Sequence, residues 1–278
     1  MTKPIGCAGS CAPCADQLVL LGSDVRDSLR NWRFWLYLGW NDIAKQYRRS
    51  FIGPVWIVLN SALFIVAFGM VGAQLFKLPI QDYLPYFCAG HVLFGFFTAL
   101  LNEGCQTYIE ANAFLKQTAY PKIAFVLRVV WRNTLMLAHN MIVVIAVLLW
   151  SGHLSGVHWG SFATALLITF ITAILVVAVF GVIAARFRDI PMIVASLMQI
   201  SFFVTPVMWR PDQLTERAQT WIVHYNPLAA YLDLLRSPLL GHSASPQSWI
   251  LALAVTGLLA ILFVALYRVA RRRIVYWL

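Results

Sequence analysis

Six stretches of this chain, each about long enough to cross a bilayer, contain no Asp, Glu, Lys or Arg: residues 55–76, 83–102, 133–151, 157–185, 190–209 and 249–267. A helix rises about 1.5 Å per residue, so about 20 residues cross a hydrocarbon core of about 30 Å. No water reaches that core, so a crossing segment must satisfy its own backbone, and outside closed barrels only helices do so. The chain is therefore expected to be all-α, a polytopic membrane protein with six transmembrane helices. Composition agrees where it matters: 60% of the 278 residues are hydrophobic and 12% charged, against about 25% charged in soluble domains.

A net charge of +10 suggests nucleic acid or an anionic surface. Here the basic residues fall in the gaps between apolar runs, so topology accounts for them. Membrane lipids are expected as partners and nucleic acid is not. With the N-terminus in the cytoplasm, seventeen of the 21 Lys and Arg face that side, and only Lys77, Arg210, Arg217 and Arg236 lie outside. This asymmetry predicts cytoplasmic termini. The first residues show no apolar signal-peptide core, so the first span is expected to direct insertion. Arg186, Arg188 and Asp189, in AARFRDIPMI, then form the tight cytoplasmic turn between spans four and five.

The segments that do not span have characters of their own. Residues 1–22 are expected to be a flexible tail. Its Cys7, Cys11 and Cys14 have the C-x3-C-x2-C spacing of some cluster-binding loops. With no fourth ligand nearby and Cys88 and Cys105 far along the chain, the expectation is reduced thiols and no metal. Residues 23–49 carry Leu29, Trp32, Leu36, Trp40, Ile43 and Tyr47 at spacings of three and four. Arg26, Arg30 and Arg33 lie on another side, which predicts an amphipathic helix in the cytoplasmic interface. Residues 210–245 hold an apolar stretch, 228–240, that is too short to span and carries Asp233 and Arg236. A short re-entrant helical hairpin before the last span fits them, with Pro206 breaking the fifth span and Asn226-Pro227 starting the return. This outer hairpin reads as a gate. Residues 271–278 form a basic cytoplasmic tail.

Several chemistries are missing. There is no G-x-x-x-x-G-K-[ST] phosphate loop, so ATP is not hydrolysed here by that route. The spans hold almost no carboxylates of the kind ion-coupled carriers use. No Ser-His-Asp grouping or metal cluster is evident, so no catalytic residue is assigned.

At this point four segments become diagnostic together. NDIAKQYRRSFIGPVWIVLN at 41–60 resembles the approach to span one in permeases of the polysaccharide branch of ABC exporters. RFRDIPMIVASLMQISFFVTPVMW at 186–209 is similar to their fifth span, HYNPLAAYLDLLRSPLLG at 224–241 to the segment after it, and YRVARRRIVYWL at 267–278 to their tail. The resemblance covers residues 25–278 and is nearest to O-antigen (lipopolysaccharide) exporters, with capsule and teichoic acid exporters sharing the architecture. Two features depart from it. The Cys-containing tail has no counterpart, and Asn41 stands where a basic residue often precedes Asp42, so no charge contact there is counted on.

The resemblance implies a six-span permease domain over 50–270 in a bacterial inner membrane. It implies a homodimer with a channel between protomers, and two copies of a cytoplasmic ATP-binding subunit. ATP and Mg would be held by that partner, with no cofactor on this chain. The cargo would be a polysaccharide on a polyprenyl diphosphate. A cytoplasmic coupling helix between spans two and three maps to 105–120, with Tyr108, Glu110, Asn112, Phe114 and Leu115 as contacts. Aromatic rings stack on sugar C–H faces without gripping any one sugar, which makes Trp56, Phe64, Tyr83, Tyr86, Phe87, Phe202, Phe203 and Trp209 the channel candidates. Arginine contacts phosphate oxygens with two donors, so Arg48, Arg49, Arg128 and Arg132 are candidates for the lipid diphosphate. Arg186, Arg188 and Asp189 are expected to clamp the four–five turn. The alternatives are export of capsular polysaccharide or teichoic acid, an enzyme acting on lipid-linked sugars, and a scaffold without chemistry.

Overall fold

The computed structural model describes residues 14–48, 53, 55–117 and 120–277. Every regular element among them is helical: α1 (Cys14–Arg30), α2 (Trp32–Tyr47), α3 (Val55–Leu75), α4 (Ile80–Glu110), α5 (Asn112–Gln117), α6 (Ile123–Trp150), α7 (Trp159–Arg186), α8 (Ile190–Val204), α9 (Glu216–Gln219), α10 (Pro227–Leu239) and α11 (Pro246–Trp277). Five of these, α3, α4, α6, α7 and α11, are long and apolar enough to cross a membrane.

The sixth expected stretch, 190–209, behaves differently. Its helix α8 has 15 residues, about 22 Å at 1.5 Å per residue, and ends at Val204. Pro206 is the cause. It has no N–H and its ring disfavours helix in the residue before it. Thr205 is accordingly extended, with φ −76° and ψ 140°.

Helix α4 is the hub, packing against α3, α6, α7, α8 and α10, while α11 lies on α7 and α10. Lipid tails are as apolar as leucine, so close backbone approach rather than hydrophobic exclusion holds such helices together. Gly104 and Gly181 provide it between α4 and α7. A methyl group on Gly181 would sit 3.1 Å from the Gly104 carbonyl oxygen, and one on Gly104 3.2 Å from Val177 Cα.

The N-terminal region differs from expectation in extent. The stretch read as tail is helical from Cys14, consistent with its run Leu18-Val19-Leu20-Leu21. The interface helix is two helices separated at Asn31, which has φ −92° and ψ 35°. Helix α2 lays Ile43 and Gly39 on α6 and leaves Trp32 and Trp40, with Leu29 of α1, exposed. Tyr267 of α11 donates to Asp24 of α1 at 2.7 Å, tying the first helix to the last.

The bundle has two unlike ends. The basic end holds α2, α5, the start of α6 and the 186–190 turn. The hairpin end holds the 151–158 loop, the chain after α8, and the end of α10.

Candidate functional site

At the basic end, α6 carries Arg128 and Arg132 one turn apart, and both are already paired. Arg128 donates Nε and Nη2 to the two carboxylate oxygens of Asp42 at 2.6 and 2.8 Å. Arg132 donates Nε and Nη2 to Glu103 Oε2 at 3.0 and 2.7 Å, and its Nη1 lies 3.7 Å from Asp42. Asn133 adds a 2.6 Å bond to the same Glu103 oxygen. The network joins α2, α6 and α4. With Asn41 in the place of a basic residue before it, Asp42 takes its cation, Arg128, from another helix. Arg128 and Arg132, two of the diphosphate candidates, thus face protein carboxylates. Arg48 is exposed. Arg49 lies outside the described residues.

The coupling segment is shorter than expected. Residues 105–110 continue α4, and only Asn112–Gln117 form a separate helix after a break at Ala111, with φ −80° and ψ 0°. Tyr108 is fully buried and Leu115 is 8% exposed, so both are core residues rather than contacts. Glu110 and Phe114 are exposed and Asn112 is half-buried. Lys116 and Gln117, not singled out in the sequence, share the exposed surface. In the 186–190 turn, Arg186 lies over the rings of Phe187 and Trp277 at 5.6 and 5.8 Å. Arg188 and Asp189 are exposed and form no ion pair among the described residues, so no salt bridge clamps the turn.

The aromatic candidates divide in two. Trp56, Phe64 and Phe203 are exposed, and Phe202 and Trp209 partly so. Tyr83, Tyr86 and Phe87 are buried inside the protomer, at 0, 8 and 0% exposure. Two grooves flank α4. One of about 570 Å³ between α4 and α8 is lined by Phe94, Thr98, Gln199, Phe202 and Phe203. One of about 240 Å³ towards α3 and α6 is lined by Ser61, Phe96, Glu103, Asn133 and Asn140. His91 and Gly95 border both. The His91 ring stacks on Phe64 at 4.6 Å and meets Phe202 edge-on at 6.3 Å, and its Nδ1 has no hydrogen-bond partner among the described residues. Sequence reasoning did not single out His91. Its position eight residues beyond Tyr83, among aromatics, was the available signal.

At the hairpin end the buried tyrosines have a different task. Beyond α8 the backbone is irregular, and its carbonyls need donors. Tyr83 donates its hydroxyl to Met208 O at 2.9 Å, and Tyr86 to Trp209 O at 3.0 Å, with Pro206 O 3.3 Å away. Arg236, 5% exposed, donates Nη1 to Pro206 O at 2.6 Å and lies 3.9 Å over the Tyr86 ring. Gly90 admits this backbone, because a Cβ there would lie 3.1 Å from Val207 O. Asn226 caps α10, its Oδ1 accepting from Leu228 and Ala229 N–H at 3.0 and 3.3 Å. Its Nδ2 donates to Thr205 Oγ1 at 3.1 Å, and Pro227 takes the first helical position, where its missing N–H is harmless. Helix α10 ends beside the 151–158 loop, with His158 N–H donating to Pro238 O at 3.0 Å. One turn in from its start, Tyr231 reaches Thr172 halfway along α7 and Thr256 of α11, at 3.0 and 2.8 Å. Arg236, Thr172 and Tyr231 were not legible as partners in the sequence, since nothing local connects them.

Among the described residues no three His, Cys, Asp or Glu side chains gather as a metal site. Cys7 and Cys11 lie outside the described residues, and Cys88 and Cys105 are buried free thiols.

Comparison with known proteins adds a family. The sequence model for the ABC-2 type transporter matches residues 33–240. Two O-antigen export system permease proteins RfbA of Klebsiella pneumoniae are each 24% identical over 196 residues, 69% of this chain and 74% of theirs. One of the same name from Myxococcus xanthus is 20% identical over 214 residues, 77% of this chain and 82% of its own.

Proposed function

Since the chain belongs to the ABC-2 type transporter family, a family of membrane subunits served by separate ATP-binding subunits, we propose that it forms the channel of an exporter for a polysaccharide carried on polyprenyl diphosphate, with O-antigen as the cargo. The chain is a transporter subunit and not an enzyme with its own ATPase. The names of the relatives support the cargo. The observation that carries the reading is the groove between α4 and α8, where Phe202, Phe203, Thr98, Gln199 and His91 present ring faces and hydrogen-bonding groups together. Rings stack weakly on successive sugars while the polar groups exchange hydroxyl partners, which suits a chain that must slide.

The finer architecture follows the same reading. Stretch 190–209 is the sixth crossing. Its 15 helical residues cover about 22 Å, and the turn and bend at 205–209 carry the chain on along α4, past Gly90 to Tyr83 near its first residues. Helix α10, descending from the 151–158 loop to the depth of Thr172, is the return limb of a re-entrant hairpin. The basic end faces the cytoplasm of a bacterial cell, placing both termini there. Two copies of the chain pair so that their grooves enclose one path, and two ATP-binding subunits, holding ATP and Mg, dock on Glu110, Asn112 and Phe114. Arg48, with Arg49, is the cation pair for the diphosphate, since Arg128 and Arg132 serve Asp42 and Glu103.

The test is affinity purification from native membranes in mild detergent, followed by ATPase assay. Co-purification of a phosphate-loop protein in equal amount, with turnover abolished by a mutation in that loop, is the expected result. In cells lacking the chain, lipid-linked glycan should accumulate on the cytoplasmic face. Turnover of lipid-linked sugars by the isolated chain without ATP would overturn the proposal.

A further inference from the structure

Inside the hairpin is a cavity of about 170 Å³ that the transport reading does not use. It lies between the chain after α8, the 220–224 turn, α10 and the loop before α11. Asp233 and Arg236, one turn apart on α10, both face it, and His224 and Gln247 stand at its exposed rim. Pro206, Val223 and Ala230 supply an apolar wall.

Its charges are unusual for a protein interior. Arg236 is 5% exposed and forms no ion pair among the described residues, although Asp233 lines the same space. A buried guanidinium ordinarily sits against a carboxylate. Here it is held by the Pro206 carbonyl and the Tyr86 ring, and Asp233 is held apart from it. The Asp233 carboxylate accepts from the Ser237 hydroxyl, from the Ser245 N–H at 3.1 Å and from the Ser248 hydroxyl at 2.7 Å. The two opposite charges are thus held by separate partners, among them Pro206, Ser245 and Ser248 of the cavity wall, and both line the same space.

That arrangement selects a class of ligand. An anion would meet Asp233 and a cation would meet Arg236. A neutral polyol satisfies both, because a hydroxyl donates to the carboxylate while its neighbour accepts from the guanidinium. The apolar wall matches the C–H face of a sugar ring. The volume equals that of about six waters at roughly 30 Å³ each, and one sugar ring fills the same space.

We propose that this cavity is a subsite for one neutral sugar ring of the exported chain, held at the hairpin end as the chain leaves. The subsite rests on the reading of this chain as a glycan exporter. It lies apart from the groove between α4 and α8, so it holds a ring that has already passed the stacking aromatics.

The experiment uses the full chain with its co-purified ATP-binding partner in lipid nanodiscs. Saturation-transfer NMR is recorded with the methyl glycosides of glucose, galactose, mannose and rhamnose, and with acetate and inorganic phosphate as anionic probes. At least one glycoside is expected to receive saturation and both anions to receive none. The affinity should fall about tenfold or more in Asp233→Asn, which loses a charge-assisted bond. Gln247→Ala, a substitution at the exposed rim, should weaken binding without disturbing the fold, and covers the case in which the first variant does not assemble. Binding of anions alone, binding of no probe, or glycoside binding unchanged in both variants would each overturn the subsite. ATPase activity measured on the same sample separates the two ideas, because loss of the partner defeats the exporter reading while the NMR still decides the cavity.

Discussion

The two ends of this molecule handle buried charge in opposite ways. At the basic end, Arg128, Arg132, Asp42 and Glu103 form a shared network in which each cation has a carboxylate and Arg132 touches both. At the hairpin end, Arg236 has no acidic partner among the described residues and holds a broken backbone by its carbonyl. A shared network loses one bond at a time. Among the described residues that hold this hairpin-end backbone Arg236 is the only charge, and the neutral hydroxyls of Tyr83 and Tyr86 are its companions. The basic end is thus built to tolerate loss of a charge, and the hairpin end is not.

The sharpest test of that contrast is Arg236→Met. It leaves the Pro206 carbonyl without its short bond and the Tyr86 ring uncovered, and a cost on the order of 3 kcal/mol is expected. The thermal midpoint in nanodiscs should drop clearly, with export lost. Next comes the division among the rings. Phe87→Ala should destabilise by about 3–5 kcal/mol as a core truncation, while Phe203→Ala should leave the midpoint in place and slow export of glycan to the cell surface. Equal losses of stability in the two would erase the distinction between core and groove.

At the basic end, Asp42→Asn should cost about 1.5–3 kcal/mol, the worth of bonds to a charged group. Arg132 would keep Glu103. A double-mutant cycle with Arg128→Gln should return most of that figure as coupling. The smallest effect is expected for Arg188→Ala, within about 0.5 kcal/mol as an exposed residue with no ion pair among the described residues. Export and assembly should also be unchanged, and a fall in export at constant stability would show that Arg188 meets another subunit.

Much of this architecture was legible because the bilayer admits few solutions. Charge-free runs of about 20 residues placed α3, α4, α6, α7 and α11, and Pro206 marked where α8 stops. The helix ends were less legible. Runs without charge locate hydrocarbon, whereas α4 and α6 continue past it to bring Glu103 and Arg132 together. The site suffered from the same limit. Tyr83, Tyr86 and Phe87 look identical to Phe202 and Phe203 in composition, and only the packing of α4 decides which rings are inside. Arg236 was counted as one of four basic residues outside. Its bond to a carbonyl 30 residues earlier depends on the hairpin folding back, which no local spacing encodes.

Helix α4 carries Tyr83 and Tyr86 near its first residues and gives way to α5 just beyond its last. It runs 31 residues, with Pro85 between the two tyrosines, and is about 46 Å long. Beyond that proline such a rod has almost no slack along its axis. A tilt imposed where α5 sits swings the two tyrosine hydroxyls the other way, and those hydroxyls grip Met208 and Trp209. The chain after α8 is therefore geared to the opposite face of the protein by a single stiff lever, and a hinge engineered into its middle would disconnect the two.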